Sequence, residues 1–344
     1  MVTMKVITAL TPPASPARVA GASDGPGAPF VVGVVQHAWR DDPRELVEAL
    51  DAAIGAAAAS GARLVVTPEI TLSRYPADTV PGGAGDALAE DLATGPTLAF
   101  AAAAARRHGV FVHTSLFERA PAGDGAADGL GLNTAIIVSP AGEVVARTHK
   151  LHIPVTAGYY EDRYFRPGPA DGGDAAGPYP VYDIDGPDGA RIGLPTCWDQ
   201  WFPELARAYS LGGANLLVYP TAIGSEPDHP GFDTRPLWQQ VIVGNGIANG
   251  LFMVVANRIG TETKPDGTPG NTFYGSSFVS DPYGRVLAQA PRDEEAVLVV
   301  ALDLAQREDW LTLFPFLSTR RPDTYAALTA PVDPERPFGA GRPE

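Results

Sequence analysis

The sequence predicts an α/β protein whose sheets are covered by helices, and three observations support that class. Short runs rich in β-branched residues alternate along the chain with longer alanine-rich or amphipathic stretches. Glycines stand just past the longer stretches, at Gly61, Gly109, Gly212 and Gly250, where helix stops belong. Turn sequences such as Ser139-Pro140-Ala141-Gly142 and Asp281-Pro282-Tyr283-Gly284 punctuate neighbouring strand-like runs as hairpin connections do.

Taken in order, strands are expected at Phe30–Val35, Arg63–Thr67, Val110–Leu116, Thr134–Ser139 and Val144–Thr148, each a short apolar or β-branched run. Further strands follow at Arg191–Leu194, Asn215–Tyr219, Phe252–Ala256, Ser276–Ser280, Val286–Ala290 and Ala296–Leu302. Helices are expected at Pro43–Ala59, Gly95–His108, Pro203–Leu211 and Thr234–Ala248. No repeat of solenoid period and no interdomain linker interrupts them, so one domain spans about 30–328. Residues 1–29 are rich in Pro, Gly, Ala and Ser without periodicity, and 329–344 read TAPVDPERPFGAGRPE, so both ends are expected to be flexible tails.

Composition narrows the function classes. The balance of 45% hydrophobic and 19% charged residues is that of a soluble globular chain. The chain has no apolar run of the roughly 18 residues that span a bilayer, and its N-terminal apolar stretch is short for a signal peptide. A cytoplasmic protein is expected. A net charge of −15 disfavours nucleic acid and anionic membrane as partners. One cysteine excludes an internal disulfide and a Cys-based zinc site, and the six histidines contain no His-x-x-x-His pair, so no metal cofactor is expected.

Three strand ends carry the chemistry. In IGLPTCWDQWFPELARAYSLGG the lone Cys197 falls where an apolar run gives way to a helix-like segment, at a sheet edge near helix-terminal amides that favour a thiolate. A lone cysteine is more commonly a small buried hydrophobe. ARLVVTPEI places Glu69 just past a Val-rich strand and next to Pro68, where a ladder cannot continue. VVARTHKLHIP places Lys150 at the end of the Val144–Thr148 strand. Taken alone, these last two read as surface side chains. A cysteine attacking a carbonyl needs a base and positive charge or amide donors for the oxyanion, roles that Glu69, Lys150 and the Trp198 amide can fill. His149 or His152 offers the competing Cys–His arrangement, and spacing alone does not choose between the two.

The segments PEI around Glu69, HKLHIP around Lys150 and CWDQWFPE around Cys197, in that order, resemble the Glu-Lys-Cys signature of the nitrilase or carbon–nitrogen hydrolase superfamily. CWDQWFPELARAYSLGGANLLVYPTAIGSEPD, VVANRIGTE, NTFYGSSFVSDPYGRVLAQA and RRPDTYAAL resemble its N-carbamoylputrescine amidase branch, and the likeness spans about Phe30 to Leu328. The resemblance implies a four-layer αββα sandwich and homo-oligomers. It implies Cys197 as nucleophile, Glu69 as general base and Lys150 as stabiliser of the tetrahedral intermediate. It places a second glutamate at Glu161, in GYYEDRYFRPG, either orienting Lys150 and positioning water or forming a buried structural salt bridge.

The substrate implied is a small amide or ureide, first of all N-carbamoylputrescine, hydrolysed to putrescine, carbon dioxide and ammonia. Its ammonium end calls for a carboxylate, for which Glu226 is the first candidate and Asp228 and Asp233 are lesser ones. Thr221, Tyr159 and Trp198 are expected at the substrate, with Tyr160 and Trp201 as further pocket aromatics. Asp199 is expected to hydrogen-bond at the site. Two departures from the branch stand out: Val155 occupies a position that is acidic there, and ITLSRYPADTVPGGAGD after Glu69 lacks the expected aromatic run. A simple amide or an N-carbamoyl amino acid is therefore the alternative, the latter needing Arg163, Arg166 or Arg258 for its carboxylate. A catalytically silent oligomeric binding protein is the alternative from another class.

Overall fold

Residues 4–19, 27–120, 129–173, 177–186 and 189–332 are described in the computed structural model of the chain. In chain order the elements are β1 (Lys5–Ala9), β2 (Phe30–Gln36), α1 (Pro43–Ala59), β3 (Leu64–Val66), α2 (Pro96–His108), β4 (Phe111–Glu118), β5 (Leu132–Val138) and β6 (Val144–His149). There follow β7 (Tyr182–Ile184), β8 (Ala190–Gly193), α3 (Pro203–Leu211), β9 (Leu216–Pro220), α4 (Arg235–Asn249) and β10 (Phe252–Ala256). The last are β11 (Ile259–Thr263), β12 (Pro269–Tyr274), β13 (Phe278–Ser280), β14 (Val286–Gln289), β15 (Ala296–Leu302) and α5 (Gln306–Leu313).

The strands form a seven-stranded sheet, β1-β15-β2-β3-β4-β5-β6, and a six-stranded sheet, β14-β13-β10-β9-β8-β7, with β11 and β12 as a separate two-stranded arm. Alternation along each strand builds the layers. Val32 and Val34 of β2, Leu216 and Val218 of β9, Phe252 and Val254 of β10, and Leu298 and Val300 of β15 share one core cluster between the sheets. Their neighbours face outward. Val35, Val297 and Val299 pack with Leu46, Leu50 and Ile54 of α1 and Phe100 of α2. Leu217, Tyr219, Met253 and Val255 pack with Leu205 and Tyr209 of α3 and Trp238 and Ile242 of α4. The result is the αββα sandwich that the resemblance implies.

Helix ends follow local chemistry. Pro43 opens α1 behind Asp42, whose carboxylate accepts the Arg44 amide at 2.9 Å. Gly109 and Gly250 close α2 and α4 in the left-handed region, at φ 66° and 63°. After α3 the left-handed residue is Gly213 rather than Gly212.

The N-terminal expectation needs correction. Within residues 1–29, read as a tail, β1 pairs in parallel with β15, and Arg18 bonds Asp303 and Asp309, each at 2.9 Å. Tail-like composition hid a strand because β1 is short and only Ile7 and Ala9 turn a partly buried face to the core. Of the expected tail at 329–344, residues 333–344 lie outside the described residues.

The parallel runs β2-β3-β4 and β8-β9-β10 matter most for function. The segments leaving β3, β6, β8 and β9 bring Glu69, Lys150, Cys197 and Glu226 to one end of the sandwich, where α/β sheets form ligand crevices.

Candidate active site

Cys197 opens a short 3-10 turn, Cys197–Trp201, directly after β8. Its φ of 43° puts a non-glycine residue in the left-handed region, a strained state that persists only where surroundings impose it. Asp199 supplies much of that constraint. Its carboxylate accepts the Thr196 amide at 3.0 Å and the His152 amide at 3.0 Å, and lies 2.7 Å from His152 Nδ1. One aspartate thus ties the cysteine turn to the segment that follows Lys150. Ile70, just after Glu69, is a second left-handed residue, at φ 50°.

Glu69, Lys150 and Glu161 are at most 1% exposed. Lys150 Nζ donates to Glu69 Oε1 at 2.9 Å and to Glu161 Oε2 at 2.6 Å, so one ammonium serves two buried carboxylates. The remaining acceptor positions are filled. Asn133 Nδ2 donates to Glu69 Oε1 at 2.7 Å, the Ala222 amide to Glu69 Oε2 at 2.9 Å, and the Tyr75 hydroxyl to Glu161 Oε1 at 2.9 Å. Such saturation lets charges sit in a dry site.

Electrostatics follow from that burial. The Cys197 thiol is pushed well up, first by desolvation and then by the Glu69 charge, with Lys150 opposing, so the resting group is a thiol. Burial works against the Lys150 charge, but Glu161 and Glu69 outweigh it and hold the ammonium protonated. Glu161 is pushed up to about 7, chiefly by burial, against the pull of Lys150.

A cleft of about 470 Å³ opens over this cluster. Cys197, Glu161, Tyr159, Trp198, Trp201 and Glu226 line it together, whereas Glu69 and Lys150 do not line it and reach it through Glu161, to which Lys150 donates. Glu226 is half-buried, and desolvation raises its pKa while His229 opposes the shift. Tyr159 is buried, its hydroxyl accepting the Gly224 amide at 3.0 Å.

Several expectations change. Thr221 is fully buried, donates its hydroxyl to Ala256 O at 2.8 Å and accepts the Glu69 amide at 3.4 Å, so it secures the glutamate and does not line the cleft. Asp233 is engaged by Arg292 at 2.8 Å, and Asp228 is exposed. Arg258 is wholly buried, gripping Glu262 at 2.5 Å and the carbonyls of Glu69, Ile70 and Ser73; none of Arg163, Arg166 and Arg258 lines the cleft. Val155 is 75% exposed, whereas its neighbours Pro154 and Thr156 line the cleft. The loop after Glu69 contributes no lining residue there, Tyr160 likewise, and the loop packs Ile70, Tyr75 and Ala77 into an apolar cluster beside the site. His149 Nδ1 lies 2.9 Å from the Thr134 hydroxyl, and His152 stacks on Phe202, so each ring has partners other than the thiol.

Tyr75, Asn133 and Arg258 are the supporting residues that sequence reasoning missed in these roles. Their partners lie far along the chain, and only Arg258, within VVANRIGTE, stood in a stretch the sequence had singled out. Among the described residues, no group of three or more His, Cys, Asp or Glu is placed to hold a metal, and no helix is long and apolar enough to cross a membrane.

An αββα sandwich that gathers one cysteine, two glutamates and a lysine at its strand ends has the architecture of the nitrilase superfamily. The chain belongs to the carbon–nitrogen hydrolase family, whose model matches residues 31–311, and it is a carbon–nitrogen hydrolase. It is 35% identical to the citrullinase of Francisella tularensis over 86% of this chain and 96% of that protein. It is also 35% identical to N-carbamoylputrescine amidase of Arabidopsis thaliana, over 89% and 97% respectively. Among solved structures, a mutant amidase from Nesterenkonia sp. AN1, with the acetamide moiety of fluoroacetamide covalently added at its active-site cysteine, is 25% identical. It superposes with a TM-score of 0.65 over 88% of this chain and 97% of that one.

Proposed function

We propose that this hydrolase cleaves a carbamoyl amine, N-carbamoylputrescine first, with Cys197 as nucleophile. The observation that carries this reading is a half-buried carboxylate, Glu226, in the same cleft as the thiol. The cleft is walled by aromatic and apolar side chains that suit a polymethylene chain between the two ends.

In this mechanism Glu69 takes the proton of the Cys197 thiol, and the thiolate attacks the ureido carbon. Lys150 and the Trp198 amide stabilise the oxyanion. Collapse expels ammonia, which leaves with the proton from Glu69, and an N-alkyl thiocarbamate remains on sulfur. Glu69 then draws a proton from water, whose oxygen attacks the same carbon, and the thiol is released as the proton returns to sulfur. The N-alkyl carbamate loses carbon dioxide to give the amine. Glu161 holds the Lys150 ammonium toward the reacting carbon. The Nesterenkonia amidase, with its adduct at an active-site cysteine, supports the covalent step.

The citrullinase relative supports a second substrate, since citrulline is the same ureido chain with a carboxylate beside the ammonium. Of the two, N-carbamoylputrescine fits better because no arginine or lysine lines the cleft among the described residues. Steady-state ammonia release on N-carbamoylputrescine, citrulline and a short neutral amide tests the order. A kcat/KM for N-carbamoylputrescine at least tenfold above that for citrulline is expected, and the reverse order would overturn the substrate assignment. A cytoplasmic homo-oligomer in polyamine biosynthesis is the setting this reading implies. The exposed Leu237 and Ile247 of α4 and Leu313 and Phe314 at the end of α5 support assembly, which sedimentation velocity tests directly.

A further inference from the structure

Residues 225–234, SEPDHPGFDT, lead from the end of β9 to α4 and carry Glu226. The loop borders two cavities. Glu226, His229, Phe232 and Thr234 line the cleft with Cys197, while Ser225, Pro230, Gly231, Phe232 and Asp233 line a second cavity of about 340 Å³. With two cavities beside it, little packing is available to fix its position, so discrete ties must do so. Its start is fastened where the Ser225 amide donates to Thr272 O at 3.0 Å, and Pro227 rests against Gly158. Its far end is fastened at Asp233, whose two carboxylate oxygens accept Arg292 Nη1 at 2.8 Å and Nη2 at 3.1 Å. Asp233 Oδ1 also accepts the Arg235 amide, 3.3 Å away, at the start of α4.

The arginine has a fixed root. Pro291 O, one residue earlier, accepts Gln36 Nε2 at 2.6 Å and the Ser276 amide at 3.2 Å. Arg292 lines the second cavity with its guanidinium 5.7 Å from the centre of the Tyr274 ring, and Tyr274 is buried against Trp238. A forked arginine–carboxylate pair laid on a fixed aromatic ring is better ordered than a single surface ion pair.

We infer that the Asp233–Arg292 pair is the strut that sets the Glu226 loop over the cleft, so that Arg292 is a positioning residue for recognition of the substrate's amine end. The inference rests on the reading of Glu226 as the ammonium partner. Arg292 touches no reacting atom, so loss of the strut acts on binding of the charged end and leaves the bond-breaking step alone. Both partners are about half exposed, which sets the scale of the effect at about three- to fivefold.

The test uses the full-length protein as Arg292→Ala, Arg292→Lys and Glu226→Gln, each assayed for ammonia release from N-carbamoylputrescine and from butyramide, which has no amine end. Arg292→Ala is expected to raise KM for N-carbamoylputrescine about three- to fivefold at unchanged kcat, with kcat/KM for butyramide unchanged and Arg292→Lys recovering most of the loss. Unchanged KM in Arg292→Ala, or an equal loss on both substrates, overturns the strut. If Glu226→Gln leaves KM for N-carbamoylputrescine unchanged, the amine-pocket reading itself fails. A raised KM in Glu226→Gln beside an unchanged one in Arg292→Ala removes the strut alone.

Discussion

Replacing Lys150 with methionine removes one buried positive charge that two carboxylates share. Lys150 Nζ lies 2.9 Å from Glu69 and 2.6 Å from Glu161, so the two acceptor oxygens are at most about 5.5 Å apart. At an effective dielectric constant near 20, their uncompensated repulsion is about 3 kcal/mol. Breaking a buried pair costs about 3–5 kcal/mol, and the donors from Asn133, Ala222 and Tyr75 that remain keep the expected loss inside that range. The cost is pH-dependent. Lys150 holds the Glu161 pKa down against burial, so without the ammonium Glu161 moves up from its wild-type position at about 7. The native variant therefore holds more protons than native wild type in this window, and the deficit shrinks as pH falls. Urea unfolding at pH 8.5, 7.5 and 6.5 is expected to show a loss of about 4 kcal/mol at the highest pH, smaller by about 1 kcal/mol or more at the lowest. Ammonia release falls at least about 10²-fold with it. A loss below about 1 kcal/mol that does not change with pH would refute the picture of a dry, charge-balanced cluster.

Glu69→Gln is expected to lower ammonia release at least about 10²-fold at pH 7, because the buried Cys197 thiol then lacks an acceptor for its proton. An unchanged rate would remove Glu69 as the base. His113 is fully buried between Val66 and Ile137 in neighbouring strands, its ring nitrogens have no hydrogen-bond partner among the described residues, and burial holds its pKa down to about 3. The unfolded chain takes that proton near pH 6.5, so stability falls as pH drops from about 6.5 towards 3, by about 2 kcal/mol from this residue at pH 5. His113→Leu is expected to remove that share of the acid loss in urea titrations, and an unaltered pH slope would contradict it. His37, also held down to about 3, first by burial and then by the Arg258 charge, adds a second, independent share. Deleting residues 1–19 uncovers β15, whose AVLVVAL sequence is an apolar sheet edge. Light scattering on heating is expected to rise earlier than in the full chain, and identical curves would show that β1 does not guard that edge.

The helices and central strands were legible because their periodicities are local. Phe252–Ala256, Ala296–Leu302, Pro43–Ala59 and Pro203–Leu211 coincide with their expected bounds. β1 and α5 were not, because both lie largely on the surface and are held by distant partners, β15 for the first and, through Arg307, Ser210 and Asn249 for the second. The cluster shows the same division. Glu69, Lys150 and Cys197 stand at strand ends that short patterns reveal. Tyr75 reaches Glu161 from 86 positions away, and Arg258 reaches the Glu69 carbonyl from 189 away. Those contacts exist only once the two sheets are stacked. Thr221 shows the converse limit, since a polar residue beside a strand end can face inward and serve the backbone instead of the substrate.

The central claim is that Cys197 carries the substrate carbon. Rapid quenching of the enzyme during turnover of N-carbamoylputrescine, followed by peptide mass spectrometry, tests it most directly. A transient adduct on Cys197 equal in mass to the substrate less ammonia is expected, absent in Cys197→Ala, which also releases no ammonia. Ammonia release that survives in Cys197→Ala would contradict it.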